Sequence, residues 1–186
     1  MPITKQTIAI TGADGKIGTA LAKRIAASNY RLLLLSNNAT SGQSLAKQIK
    51  RAYSTADVKI MDCQYEACWE ADIIIMAIPA NELKKAADRI EEVATQKTVV
   101  YITALKDEAL KAPETVQKSK TAKALEKMLP NSKIIELITT EQIFIDEKTA
   151  DGFIIGRNEN AIQNVYQLVN KAGINPIVVE ETAILQ

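Results

Sequence analysis

Thr7-Ile8-Ala9-Ile10-Thr11-Gly12-Ala13-Asp14-Gly15-Lys16-Ile17-Gly18 decides the fold of this 186-residue chain. A β-branched run stops at a glycine cluster, and an amphipathic helical pattern starts at once. Gly12, Gly15 and Gly18 fall on the spacing G-x-x-G-x-x-G. Such spacing leaves bare backbone N–H groups at a helix N-terminus, where a pyrophosphate would be held. Gly12 suits a tight turn out of the strand, Gly15 a close approach of backbone to phosphate, and Gly18 packing of the helix on the sheet. Asp14 is expected to point outward and serve the turn.

Outward from this loop, short apolar runs alternate with helical patterns. Strands are expected at Thr7–Thr11, Arg31–Leu35, Val58–Met61, Ile73–Ile78, Thr98–Ile102, Ile134–Leu137, Phe153–Ile155 and Ile177–Val179. Several are continuously apolar, as in parallel strands covered on both faces. Helices are expected near Lys16–Ser28, Ser41–Ala52, Glu82–Val93, Thr121–Met128 and Ala161–Lys171. The alternation predicts a Rossmann-like α/β fold, a doubly wound and mostly parallel sheet, with residues 1–186 forming a single NAD(P)-binding domain. Thr103 to Ser119 reads as a loop with a short helix, Lys118-Ser119-Lys120 as a solvated helix start, and Trp69 as core or partly exposed packing.

Composition narrows the chemistry. A net charge of +1 with no dense Lys/Arg run gives no case for nucleic acid. The longest apolar run, Ile73 to Pro79, falls far short of the roughly 20 residues that span a bilayer. No signal-peptide pattern stands before the first strand, so no membrane partner and a cytoplasmic location are expected. Cys63 and Cys68 lack metal-ligand spacing, and no metal is expected. With no histidine, Ser-His-Asp and Cys-His nucleophile pairs are excluded. Chemistry must come from a cofactor, or from Lys, Tyr, Asp or Glu.

The second strand bears on which dinucleotide is bound. NAD enzymes place Asp or Glu at its end against the ribose hydroxyls. Here it ends Leu35-Ser36-Asn37-Asn38-Ala39-Thr40-Ser41, and no acid occurs between Asp14 and Asp57. Ser36, Asn37, Asn38, Thr40 and Ser41 offer hydrogen bonds to a 2′-phosphate, which favours NADP over NAD. An arginine, the strongest phosphate partner, is missing from this turn. Ala77, Ile78 and Pro79 would pass over the pyrophosphate and nicotinamide ribose, Pro79 also starting a helix, and Thr103 and Ala104 would border the nicotinamide. The cofactor-binding set is therefore Gly12, Ala13, Asp14, Gly15, Lys16, Ile17, Gly18, Ser36, Asn37, Asn38, Ala77, Ile78, Pro79, Thr103 and Ala104. No catalytic residue is assigned.

Three segments resemble the deazaflavin-dependent NADP reductases and the related reductase domains of six-transmembrane ferric reductases. They are Gly12-Ala13-Asp14-Gly15-Lys16-Ile17-Gly18, Ala71-Asp72-Ile73-Ile74-Ile75-Met76-Ala77-Ile78-Pro79, and the run from Thr121 through Ile138-Thr139-Thr140 to Gly156-Arg157-Asn158. The resemblance implies NADP(H) binding and hydride transfer to a flavin or deazaflavin acceptor, with a homodimer as one assembly open to it. It departs at Ser36-Asn37, where those reductases carry Ser-Arg, and at Gln186, beyond which their C-terminal helices are expected to be lacking. The loop also resembles the T-G-x-x-G-x-x-G of atypical short-chain dehydrogenases, with Asp62 in the place of their adenine-contacting Asp. No Tyr-x-x-x-Lys pair accompanies it. A non-catalytic NADP(H)-sensing module and a carbonyl reductase using Tyr101 or Lys106 are the alternative functions.

Overall fold

The computed structural model describes residues 5–106, 118–144 and 149–180. Eight strands form one sheet: β1 (Thr7–Thr11), β2 (Arg31–Leu35), β3 (Asp57–Met61), β4 (Ile73–Met76), β5 (Thr98–Leu105), β6 (Lys133–Thr140), β7 (Ala150–Gly156) and β8 (Ile174–Val179). The helices are α1 (Lys16–Ala26), α2 (Ala39–Ala52), α3 (Gln64–Glu70), α4 (Ala80–Ile90), α5 (Lys120–Met128) and α6 (Glu159–Lys171). Strand order is β3-β2-β1-β4-β5-β6-β7-β8. The first six strands are parallel, β7 runs antiparallel to β6, and β8 runs parallel to β7. The predicted Rossmann-like α/β fold is thus the observed one. The β6–β7 reversal follows from a connection too short for a crossover helix, which holds a 3₁₀ turn at Glu141–Phe144.

Strand periodicity splits the core in two. Ile8 and Ile10 of β1, Leu32 and Leu34 of β2, and Ile73 and Ile75 of β4 face Leu21, Ile25, Leu45, Ile49, Val165 and Leu168 of α1, α2 and α6. Their chain neighbours Ala9, Leu33, Ile74 and Met76 face Ala67 and Leu83, Ala87 and Leu125 of α3, α4 and α5. Strands covered on both faces are mostly apolar along their length, and β2 runs Leu32 to Leu35 without a break for that reason.

Several boundaries differ from the sequence reading. β4 ends at Met76: Ala77 still donates its N–H to Thr11 O (3.0 Å), and Pro79 then caps α4 in an extended conformation. β5 and β6 run further than expected, to Leu105 and Thr140. α3 was not expected. It is seven residues long and turns Tyr65 and Trp69 outward beside Glu66, so apolar residues lie on both sides and give no helical stripe. Trp69 is 67% exposed and not core. Lys118 is not solvated: its side chain is buried and pairs with Glu126 at 2.6 Å. Most of the stretch read as a loop with a short helix, residues 107–117, lies outside the described residues.

Candidate functional site

Strand order reverses between β1 and β4, whose neighbours lead away in opposite directions. Open α/β sheets bind ligands in the crevice beyond the carboxyl ends of strands at such a point. Gly12 stands there at the end of β1, with φ +77°. A Cβ on Gly12 would overlap Ala77 O and stand 2.9 Å from Ile78 Cγ2. Only glycine fits where the two strand ends come this close. A Cβ on Gly18 would overlap Gly12 O, so the missing side chain lets α1 seat directly on the loop. At Gly15 a Cβ would stand 3.3 Å from Gly12 O and 3.9 Å from Ala77 O, between the loop and the end of β4.

The loop's own hydrogen bonds distinguish its structural groups from its free ones. Gly12 and Ala13 both donate their N–H groups to Leu35 O (3.1 and 2.9 Å), and Gly15 donates to Gly12 O (3.0 Å). Ala13 is fully buried, and its carbonyl accepts from Thr19 Oγ1 at 2.9 Å. Gly15 is the N-cap of α1 and has no side chain to cap with, so the first-turn amides of Lys16 and Ile17 receive no side-chain acceptor. Asp14 neither blocks nor lines this opening: its Oδ2 accepts from Asn38 N–H at 3.2 Å, tying the loop to the turn after β2.

That turn is largely self-satisfied. Ser36 Oγ donates to Asn38 O (2.6 Å) and accepts from Asn38 N–H (3.1 Å). Asn38 Oδ1 accepts from Ser41 N–H (3.1 Å) as the N-cap of α2. Asn37 is exposed and has no hydrogen-bond partner among the described residues.

A cleft of about 480 Å³ opens beside Gly12. Thr11, Leu35, Ser36 and Asn37 line it from β1 and β2, and Met61, Asp62 and Gln64 from the end of β3 and the start of α3. Ile78, Glu82, Lys85, Ala86 and Arg89 line it from the end of β4 and from α4. Residues 82, 85, 86 and 89 recur at helical spacing, so one face of α4 forms that wall. Thr11 Oγ1 is buried here and, among the described residues, has no hydrogen-bond partner. A buried hydroxyl left without a partner calls for an explanation, and here it stands where a ligand in the cleft could bond it.

Of the sequence-predicted set, the cleft gathers Gly12, Ser36, Asn37 and Ile78. Thr103 and Ala104 lie on β5, beyond β4. Thr103 Oγ1 donates to Glu136 Oε1 (2.9 Å), and Ser119 N–H donates to Glu136 Oε2 (2.7 Å). This fully buried carboxylate joins β5 and β6 to the start of α5. Tyr101 is buried beside it, and burial, then the Glu136 charge, push its phenol up, against a smaller lowering by a hydrogen bond with Thr121. Sequence reasoning missed the α4 wall. The signal was present in the 82-85-86-89 stripe, which mixes charged residues with the apolar Ala86 and so reads as a solvated face.

Among the described residues no helix is long and apolar enough to cross a membrane, and no cluster of His, Cys, Asp or Glu could hold a metal. A family described as NADP oxidoreductase, coenzyme F420-dependent, matches residues 7–105. No curated protein sequence matches the chain. Among solved structures, a protein named as an F420-dependent NADP-reductase from Arthrobacter sp. FB24 shares 16% identity, with 94% of this chain and 84% of that one covered and a TM-score of 0.70. Pyrroline carboxylate reductase from Plasmodium falciparum, solved with NADP bound, shares 17% over 94% of this chain and 57% of that one, with a TM-score of 0.64. An imine reductase from Aspergillus terreus shares 13% over 96% of this chain and 56% of that one, with a TM-score of 0.70. The chain thus spans just over half the length of the latter two. At these identities the likeness establishes the fold.

Proposed function

Because this chain belongs to the coenzyme F420-dependent NADP oxidoreductase family, we propose that it binds NADP(H) across the β1/β4 crevice and passes hydride to a flavin or deazaflavin acceptor. The observation that carries the reading is Gly12, fixed at φ +77° against Ala77 O at the switch point and opening onto a cleft lined by Ser36 and Asn37. When bound, the reduced nicotinamide supplies the hydride, and transfer between two planar rings depends on alignment more than on a protein acid or base. In this reading the α1 N-terminus, from Gly15 through Lys16 and Ile17, holds the pyrophosphate. Asn37, with Ser36 and Asn38, faces the adenosine ribose. Ala77, Ile78 and Pro79 border the crevice from β4, and Thr103 and Ala104 stand on the nicotinamide side. Residues 1–186 act as one dinucleotide-binding unit, with a homodimer as the assembly and the cytoplasm as the location.

A sensing role is the second reading. The engagement of Thr103 with Glu136 and the burial of Tyr101 leave those hydroxyls unsuited to proton transfer, which favours sensing over carbonyl reduction and leaves ring-to-ring hydride transfer to be tested directly. Anaerobic NADPH oxidation at 340 nm, with flavin and deazaflavin acceptors, separates the two. Multiple turnovers with at least one acceptor are expected. Tight NADPH binding without turnover on any of them would overturn the redox reading in favour of sensing.

A further inference from the structure

The turn after β2 lacks the arginine that a 2′-phosphate calls for, yet the cleft beside it is not short of cations. Lys85 and Arg89 both line it, from the face of α4 opposite Ser36 and Asn37. They lie four residues apart, so both project from the same helical face. Both are exposed. Neither has an ion pair or hydrogen bond among the described residues, although Asp62 and Glu82 line the same cleft. The neighbouring Lys84 is different: it lies outside the cleft and is paired with Asp88 at 2.8 Å. Two unpaired cations sharing one concave wall form an anion subsite without further folding. Gln64 Nε2 donates to Ala86 O (3.4 Å), fastening this stretch of α4 to the start of α3.

We infer that Lys85 and Arg89 form the 2′-phosphate subsite, so that selectivity for NADP over NAD resides on α4 and not on the turn after β2. The inference rests on the proposed dinucleotide reading and names the phosphate partner within it. Asn37 supplies a neutral hydrogen bond from the facing wall. Arg89 supplies a planar, always-charged fork suited to phosphate oxygens, and Lys85 a point charge. Asp62 is left to the 3′-hydroxyl or the base of the adenosine.

The test is isothermal titration of the full chain with NADPH, NADH, 2′,5′-ADP and 5′-AMP. Lys85→Met and Arg89→Met keep the apolar stems, and Lys84→Met is the control outside the cleft. Each cleft variant should bind 2′,5′-ADP and NADPH about tenfold more weakly, a loss on the scale of one charge-assisted hydrogen bond. NADH and 5′-AMP should stay within about twofold, and Lys84→Met should match wild type on all four. A wild-type preference for NADPH that survives both cleft substitutions would overturn the α4 assignment and leave the dinucleotide reading standing. Parallel losses for NADPH and NADH would also overturn it, because the side chains would then serve a part common to both. Equal wild-type affinity for NADPH and NADH would remove the 2′-phosphate reading and this subsite with it.

Discussion

Gly12 concentrates three demands on one residue: a positive φ, contact with Ala77 O, and a seat for α1 through its own carbonyl. An alanine there would be strained in backbone and would collide with an atom of the sheet that cannot swing away. Gly12→Ala should therefore cost about 2 kcal/mol or more, read as a lower midpoint in urea at unchanged slope. It should weaken dinucleotide binding further than that loss of folded protein explains. The two cysteines make a contrasting pair. Cys63 is exposed, whereas Cys68 is fully buried and burial pushes its thiol up to about 12. Iodoacetamide at pH 8 should label Cys63 alone, and label Cys68 only after unfolding, as mass spectrometry would show. The linkage has a definite sign. The unfolded thiol ionises near its ordinary value of 9.0 and the folded one near 12. Stability is therefore intact below pH 9 and falls as pH rises toward 12, and Cys68→Ala should flatten that alkaline slope.

Helix starts show how the same local device serves structure in one place and the site in another. Asn38 caps α2 and Asn158 caps α6, each accepting from the backbone three residues on at 3.1 and 2.9 Å. Replacing either by alanine should cost about 1 kcal/mol in denaturant unfolding. Asn158→Ala should leave NADPH affinity unchanged. Asn38→Ala should lower it as well, because its side-chain cap on Ser41 N–H holds the turn after β2 that lines the cleft, whereas the Ser36 and Asp14 contacts run through the Asn38 main chain and survive the change. Equal effects of the two on binding would contradict the role given to the turn. Elements with a long apolar period, such as β2 and α6, were legible in the sequence because burial on both faces or along one stripe leaves a compositional trace. α3 was not. At seven residues, with Tyr65 and Trp69 outside and Ala67 and Cys68 inside, its polarity runs against the usual pattern. The buried position of Lys118 was equally hidden, since the partner Glu126 that offsets its charge lies eight residues on.

Over the whole molecule, the glycine spacing and strand order were enough to place the crevice, because a doubly wound sheet puts it at the switch point whatever the side chains are. The charge that lines the crevice was not legible. Lys85 and Arg89 come from α4, some fifty residues beyond the turn they face, and tertiary packing, including the tie of α4 to the start of α3, brings them there. The central claim is that this crevice holds NADP(H). Its most direct test is thermal unfolding of the protein alone, with NADPH and with NADH, at matched ligand concentrations. A ligand that binds only the folded state stabilises it by about 2.7 kcal/mol at a hundredfold excess over its dissociation constant. The account predicts a clear rise in Tm with NADPH and a distinctly smaller one with NADH. An unchanged Tm with both ligands would contradict dinucleotide binding itself, and equal rises would contradict the preference for the 2′-phosphate.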